Sequence, residues 1–255
     1  MLNTVVLNGF EELKRRADEV KSRPKAAIIM DNHEQTATRR ELLRLGVTAG
    51  VAAIWIPRGV LWGWTQSPLV PTTPTTPGPF YPIVRPLDRD TDLTLLRGHK
   101  KRAQGQIIHV AGRVLNRRGE PVTGARVELW QANALGRYDH PSDPNPAPLD
   151  PDFQGYGEQL TDREGRFRFT TVKPGPYPGE GGGMRTPHLH FDVSGHADRR
   201  VTQLFFRDEP LNAQDRIFQQ VPRNREGLIA DLRPAPAGED PASRLIEWNV
   251  VLPNG

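Results

Sequence analysis

From about Leu95 to the C-terminus the chain repeats one pattern: a short run alternating apolar and polar residues, closed by a turn of Gly, Asn, Asp or Pro. Gln106–Leu115 alternates and ends at Asn116-Arg117-Arg118-Gly119, and Ala125–Trp130 alternates through Val127 and Leu129. Gly165–Phe169 follows the turn Asp162-Arg163-Glu164-Gly165, and His188–Val193, Val201–Phe206 and Leu245–Leu252 complete the set. Side chains two apart in a strand share a face, so each run has one apolar face that must be covered by another layer. Short strands with turns between them and little helical period predict an all-β fold, an antiparallel β-sandwich with long loops. The 25 prolines and 24 glycines suit such a loop-rich design.

Ahead of this region lie two others. Residues 67–94 read as a Pro-rich arm or linker, with Pro68, Pro71, Pro74, Pro77, Pro79 and Pro82. Residues 1–66 read as a partly helical N-terminal extension, leaving 95–255 as the β-sandwich domain. Within the extension, Arg39-Arg40 followed by the apolar stretch Leu45–Ile56 resembles a twin-arginine export signal, which favours a periplasmic protein. The alternative is an amphipathic helix packed on the domain of a cytoplasmic protein. No Ala-x-Ala cleavage site follows, and the arginines lie far from Met1; a true start at Met30 would bring them to the usual distance. The stretch is too short to span a bilayer, so no stable membrane span is expected.

A formal charge of +4, from 34 basic and 30 acidic residues, is too mixed to argue for nucleic acid, and no nucleic-acid-binding motif accompanies it. With no cysteine there is no disulfide, thiolate metal site or cysteine nucleophile.

Arg185-Thr186-Pro187-His188-Leu189-His190-Phe191 carries the most chemical information. His188 and His190, two apart in a strand, sit about 6.5–7 Å apart at Cα on one face, close enough for both imidazoles to reach one metal. The alternative is a pair of structural histidines. The chain has four tyrosines, and Tyr138 and Tyr177 stand in distinctive settings. Tyr138 ends Trp130-Gln-Ala-Asn-Ala-Leu-Gly-Arg-Tyr138, and Tyr177 is fixed between Pro176 and Pro178. A tyrosine in such a turn commonly just packs, so the residues alone leave both readings open.

Five blocks raise the specificity: Gly124–Asn133, Leu149–Gly155, Leu160–Gly165, Lys173–Pro178 and Pro187–Phe191. In order and spacing they resemble the intradiol ring-cleavage dioxygenases, most closely the iron-bearing beta chains of the protocatechuate 3,4-dioxygenases, from about Thr76 to Val251. That resemblance implies one non-haem Fe(III) per active site, held by Tyr138, Tyr177, His188 and His190. It implies a catechol-type substrate and O2 as partners, with the ring opened between its two hydroxyl-bearing carbons to a cis,cis-muconate-type diacid. Tyr177 matches the tyrosine that leaves when substrate binds and takes up a proton, and Tyr138 the one that stays. Arg185 matches an arginine that stabilises negative charge on the ring, Gln203 a glutamine beside it, and Trp130 an aromatic lining the pocket. Gly78 and Pro79 match an arm that approaches the substrate. Where the family has tryptophan after Tyr177-Pro178, Gly179 begins a glycine-rich run here, so a more open wall is expected.

The residue types fit the ion, since iron(III) is hard and favours anionic oxygen donors. A ferrous facial triad of His188, His190 and Asp192 is the second enzyme reading, and a non-catalytic β-sandwich binding module the third. His109 and His140 read as structural. The family implies an oligomer, either of this chain alone or with a related chain.

Overall fold

In this computed structural model the described residues are 67–179, 182–221 and 225–255. The expectations for 1–66, including the twin-arginine segment and Met30, lie outside them, as do Glu180 and Gly181 of the glycine-rich run.

The strands are β1 (Ile107–Asn116), β2 (Arg126–Trp130), β3 (Tyr156–Leu160), β4 (Arg166–Val172), β5 (Tyr177–Pro178), β6 (Met184–Arg185), β7 (His188–Ser194) and β8 (Arg199–Phe206). A short helix α1 (Arg216–Gln220) follows, then β9 (Ile229–Ala230), β10 (Arg233–Pro234), β11 (Arg244–Glu247) and β12 (Val250–Leu252). One sheet centres on β1, with β4 along one edge and β11 then β12 along the other. The second runs β3-β2-β7-β8-β9, and β5 and β6 form a separate hairpin. Among the described residues no helix is long and apolar enough to cross a membrane.

The two sheets bury one core between them, as the alternation predicts. Ile108, Val110 and Val114 of β1 and Phe167 and Phe169 of β4 meet Val127 and Leu129 of β2 and Leu189, Phe191 and Val193 of β7. The sandwich forms as expected, but its sheets are mixed: β11 and β12 run parallel to β1, and β9 runs parallel to β8. These strands return from far along the chain, so hairpin geometry does not dictate their direction.

The expected strand 245–252 is split in two. Ala111 faces Glu247 and Val114 faces Val250, while Trp248 leaves the ladder, its N–H donating to the Ala111 carbonyl and its indole to the Gly227 carbonyl. Gly112 makes the break possible, because a Cβ there would lie 1.7 Å from the Trp248 carbonyl oxygen.

Residues 67–94 are docked on the sandwich. Leu69, Thr72 and Thr75 N–H groups donate to the carbonyls of Arg117, Val251 and Val201. Farther along, Tyr81, Arg85 and Arg89 reach a row of carboxylates on the outer face of the second sheet, where Glu158, Glu128 and Asp192 stand opposite one another on β3, β2 and β7. Glu128 is fully buried beneath this arm.

The Gly112–Trp248 contact gives a stability prediction. Gly112→Ala is expected to destabilise the fold by about 2–4 kcal/mol, through backbone displacement in a central strand. Urea denaturation followed by circular dichroism reads it directly, and a change under about 0.5 kcal/mol would contradict the described packing.

Candidate metal centre

The outer face of the second sheet carries the site. Pairing sets Tyr156, Trp130, His190 and Gln203 in one row across β3, β2, β7 and β8, with His188 opposite Phe205 in a neighbouring row. Both imidazoles project from the face opposite the core residues Leu189 and Phe191, as the two-residue period requires.

Tyr138 reaches them from a loop organised by short-range polar contacts. The Asn133 side chain accepts the N–H groups of Leu135 and Arg137, and Asp143 accepts that of Tyr138 at 2.7 Å. Gly136 allows this loop to lie on the one bearing Tyr177: its φ is +80°, and a Cβ would stand 2.1 Å from the Pro176 carbonyl oxygen. Gly175 N–H closes the contact by donating to the Asn133 carbonyl. Tyr138 and Tyr177 thus meet edge to face at 5.3 Å, and Tyr177, on β5, pairs across the hairpin with Arg185.

The four groups are buried and adjacent. His188 Nε2 lies 3.1 Å from His190 Nε2 and 3.3 Å from Tyr177 Oη. His188 Nδ1 is 2.6 Å from the Thr186 carbonyl, an acceptor only, so Nδ1 carries the proton and Nε2 presents its lone pair inward. Tyr138 Oη and His190 Nδ1 are buried without a hydrogen-bond partner, and Tyr138 lies close to Tyr177 without a well-directed bond. Two facing imidazole nitrogens and an unsatisfied phenol in a closed space suit one shared cation better than the protein alone. Two ionisable phenols among the donors suit a hard, highly charged one.

Burial sets the electrostatics. It holds the Tyr138 phenol well above its ordinary value of 10, with the neighbouring Tyr177 adding to the shift and Arg185 opposing it. It also raises the Tyr177 phenol, against the pull of Arg185. The His188 imidazole is pushed down to about 3 by burial and then by Arg185, and His190 falls well below its ordinary range for the same reasons with His188 added. Without a metal all four groups are neutral, so loading an ion onto two phenolates must release protons.

Around this cluster Arg185 is buried, its Nη2 donating to Gln203 Oε1 at 2.8 Å and its Nη1 to Tyr177 Oη at 3.3 Å. Gln203 in turn donates to the Thr76 carbonyl, which pins the arm where Gly78 crosses His190. Gly78, Pro79, Tyr177 and Arg185 line a cavity of about 700 Å³, whereas Tyr138, His188, His190 and Gln203 are not among its lining residues. Trp130 stacks on His190 at 4.9 Å and is not among the cavity-lining residues. Gly179 and Gly183 close the β5–β6 turn, and Gly179 packs against the stem of Arg185.

Asp192 is committed elsewhere, in a two-point ion pair with Arg199. Among the described residues no group of three or more His, Cys, Asp or Glu gathers, so the facial-triad set does not assemble. His140 contacts Phe80 and accepts Ser142 N–H, while His109 sits on β1 beside Thr170. Three residues escaped the sequence reading. Phe80 packs on Tyr138 at 4.8 Å, Asp215 holds Arg185, and Arg216 stands on the cavity rim. Phe80 had a signal in its position beside Gly78-Pro79, and Asp215 only that of a helix cap.

The family whose sequence model is described as "Dioxygenase" matches residues 77–254. The protocatechuate 3,4-dioxygenase beta chain of Burkholderia cepacia is 45% identical over 150 residues, 57% of this chain and 63% of that protein. A hydroxyquinol 1,2-dioxygenase of Rhizobium sp. (strain MTP-10005) is 33% identical over 51% of this chain and 46% of its own length. The chain therefore spans less than two thirds of these relatives. Among solved structures, the dioxygenase domain of a dioxygenase–carbohydrate-binding fusion from Streptomyces sp. SirexAA-E superposes with a TM-score of 0.55 at 28% identity, covering 73% of this chain and all of that one.

A histidine kept neutral by burial favours the unfolded state as pH falls. His188 is held near 3 against an ordinary 6.5, so below about 6.5 the unfolded chain takes up a proton that the folded chain refuses. Stability of the metal-free protein is expected to drop between about pH 6 and 4, and His188→Gln should reduce that slope by close to one proton. Urea midpoints across this window measure it, and identical slopes for the two proteins would refute it.

Proposed function

Since the chain belongs to the intradiol ring-cleaving dioxygenases, we propose that it opens a catechol-type ring between its hydroxyl-bearing carbons, inserting both atoms of O2 to give a cis,cis-muconate-type diacid. The observation that carries this reading is the convergence of two phenols and two imidazoles, from three separate segments, beside a cavity. Tyr138, Tyr177, His188 and His190 would hold one non-haem Fe(III). Bound ferric iron would supply Lewis acidity to both catechol oxygens and accept the electron density that makes the ring reactive toward O2.

The chain's own groups divide the remaining work. Tyr177 lines the cavity, so its oxygen, deprotonated when the ion is loaded, would be placed to take up one catechol proton as general base. Tyr138, packed against Phe80 and not among the cavity-lining residues, would serve as a ligand throughout. Arg185, charged and buried, steadies negative charge on the ring, and Gln203 keeps its guanidinium in line. Gly78 and Pro79 form the wall above His190, while Phe80, Met184 and Ile217 make the space apolar and limit water.

The cavity lining also bears on the substrate. Among the described residues its charged members are Arg185 and Arg216, both cationic, and Arg185 is already occupied by Asp215 and Gln203. An anionic substituent directed at Arg216 fits this wall, which favours protocatechuate over catechol or hydroxyquinol. The relative named as a beta chain supports an assembly with a second chain, either a copy or a related one.

Two measurements test this. Purified protein is expected to hold one iron per chain and to show a red-brown tyrosinate-to-iron band, with Tyr138→Phe or His190→Ala losing most of the metal; a colourless, iron-free protein with no O2 uptake on any catechol would end the proposal. Arg216→Gln should raise KM for protocatechuate by about 10–100-fold, the loss of one charge-assisted contact, with catechol turnover changed less than about twofold. Equal effects on both substrates would remove Arg216 from substrate choice.

A further inference from the structure

Asp215 is fully buried and ends the turn that leads into α1. Its carboxylate takes three donors on two oxygens. Oδ1 accepts the Phe218 N–H at 2.9 Å, the cap of α1, while Oδ2 accepts Arg185 Nε and the Thr186 N–H, each at 2.8 Å. A helix cap uses only the first of these, and a serine, threonine or asparagine would supply it equally well. The other two reach into the site. With Nε on Asp215, Arg185 directs Nη1 to Tyr177 Oη and Nη2 to Gln203, and the Thr186 carbonyl fixes the His188 tautomer.

From this geometry we propose that Asp215 is the positioning residue of the site, aiming the Arg185 guanidinium at Tyr177 and the cavity and steadying the Thr186 carbonyl that orients His188. The inference rests on the ring-cleavage reading for its kinetic part, though not for its structural part. Only a carboxylate satisfies the arrangement. In Asp215→Asn one of the two positions becomes an NH2 group, which would point at the Phe218 N–H or at both Arg185 and Thr186 donors. Either way a buried donor is left unpaired, and because the amide is neutral the buried Arg185 charge loses its counter-ion in both orientations. The same turn is tied down a second time: the Thr186 hydroxyl donates to Asn212 Oδ1, and Asn212 Nδ2 donates to the Phe206 carbonyl. The segment carrying Gln214, Arg216 and Ile217 to the cavity wall is therefore held to Arg185 and Thr186, just ahead of β7, through Asp215 and Asn212.

The test uses the full-length, iron-loaded protein and four variants: Asp215→Asn, Asp215→Ser, Arg185→Gln and the double variant Asp215→Asn/Arg185→Gln. Asp215→Ser keeps the α1 cap but is too short to reach Arg185, so it separates folding from positioning. At equal iron content, each Asp215 variant is expected to lower kcat by about 100-fold with KM moved less than about threefold, as for loss of a charge-stabilising donor. On the Arg185→Gln background, Asp215→Asn should cost less than about tenfold more, since only its hold on Thr186 remains to be lost. The visible band of the resting protein should shift alike in Asp215→Asn and Arg185→Gln, since both disturb the guanidinium beside Tyr177. A readout independent of catalysis and iron is the Arg185 Nε–H resonance of the ¹⁵N-labelled metal-free protein, resolved and slow to exchange in the parent and lost in Asp215→Ser. Independent, multiplicative losses in the double variant, or a protected Nε–H in Asp215→Ser, would overturn the proposal. A parent with no ring-cleaving activity would instead refute the reaction, leaving the resonance to decide the role of Asp215.

Discussion

The structure depends on the register of β7. Leu189, Phe191 and Val193 enter the core from one face of this strand, and His188, His190 and Asp192 leave it on the other. Burying each apolar side chain contributes about 1.5–3 kcal/mol, so a one-residue slip would lose several times that and would turn the imidazoles into the core. A buried unsatisfied polar atom, such as Tyr138 Oη or His190 Nδ1, costs roughly 1–3 kcal/mol. The core term is larger, and so the sandwich can hold an incompletely satisfied donor cluster on its outer face without yielding to it.

An exposed outer face would leave those donors in water, and the arm covers it. Its attachment is electrostatic as well as apolar: Tyr81 and Arg85 both bond Glu128, Arg89 bonds Glu158, and Tyr81 lies edge-on to Trp130, which stacks on His190. Carboxylates in register across three strands would repel one another unaided, and Arg85, Arg89, Arg126 and Arg199 offset that repulsion. The charged row thus sets where the arm runs, and the arm then brings Gly78, Pro79 and Phe80 over the site.

Much of this was legible in the sequence, and the limits have physical causes. The strands showed because the core demands alternation, and His188 and His190 because a two-residue period puts both on one face. Tyr138 and Tyr177 needed the resemblance as well, since nothing in a proline-flanked tyrosine distinguishes a ligand from a packing residue. Asp215 was hidden because its partner lies 30 residues away in sequence and a helix cap looks the same whether or not it also holds an arginine. Residues 67–94 read as a linker because an extended segment docked by scattered backbone bonds has no period to detect. The split of β11 from β12 was equally invisible, resting on one backbone approach at Gly112.

The most direct test of the account is an iron-edge anomalous difference map from crystals of the iron-loaded protein. The account predicts a single peak within bonding distance of Tyr138 Oη, Tyr177 Oη, His188 Nε2 and His190 Nε2 together. A peak bonded to Asp192, or one out of reach of either phenol, would contradict it.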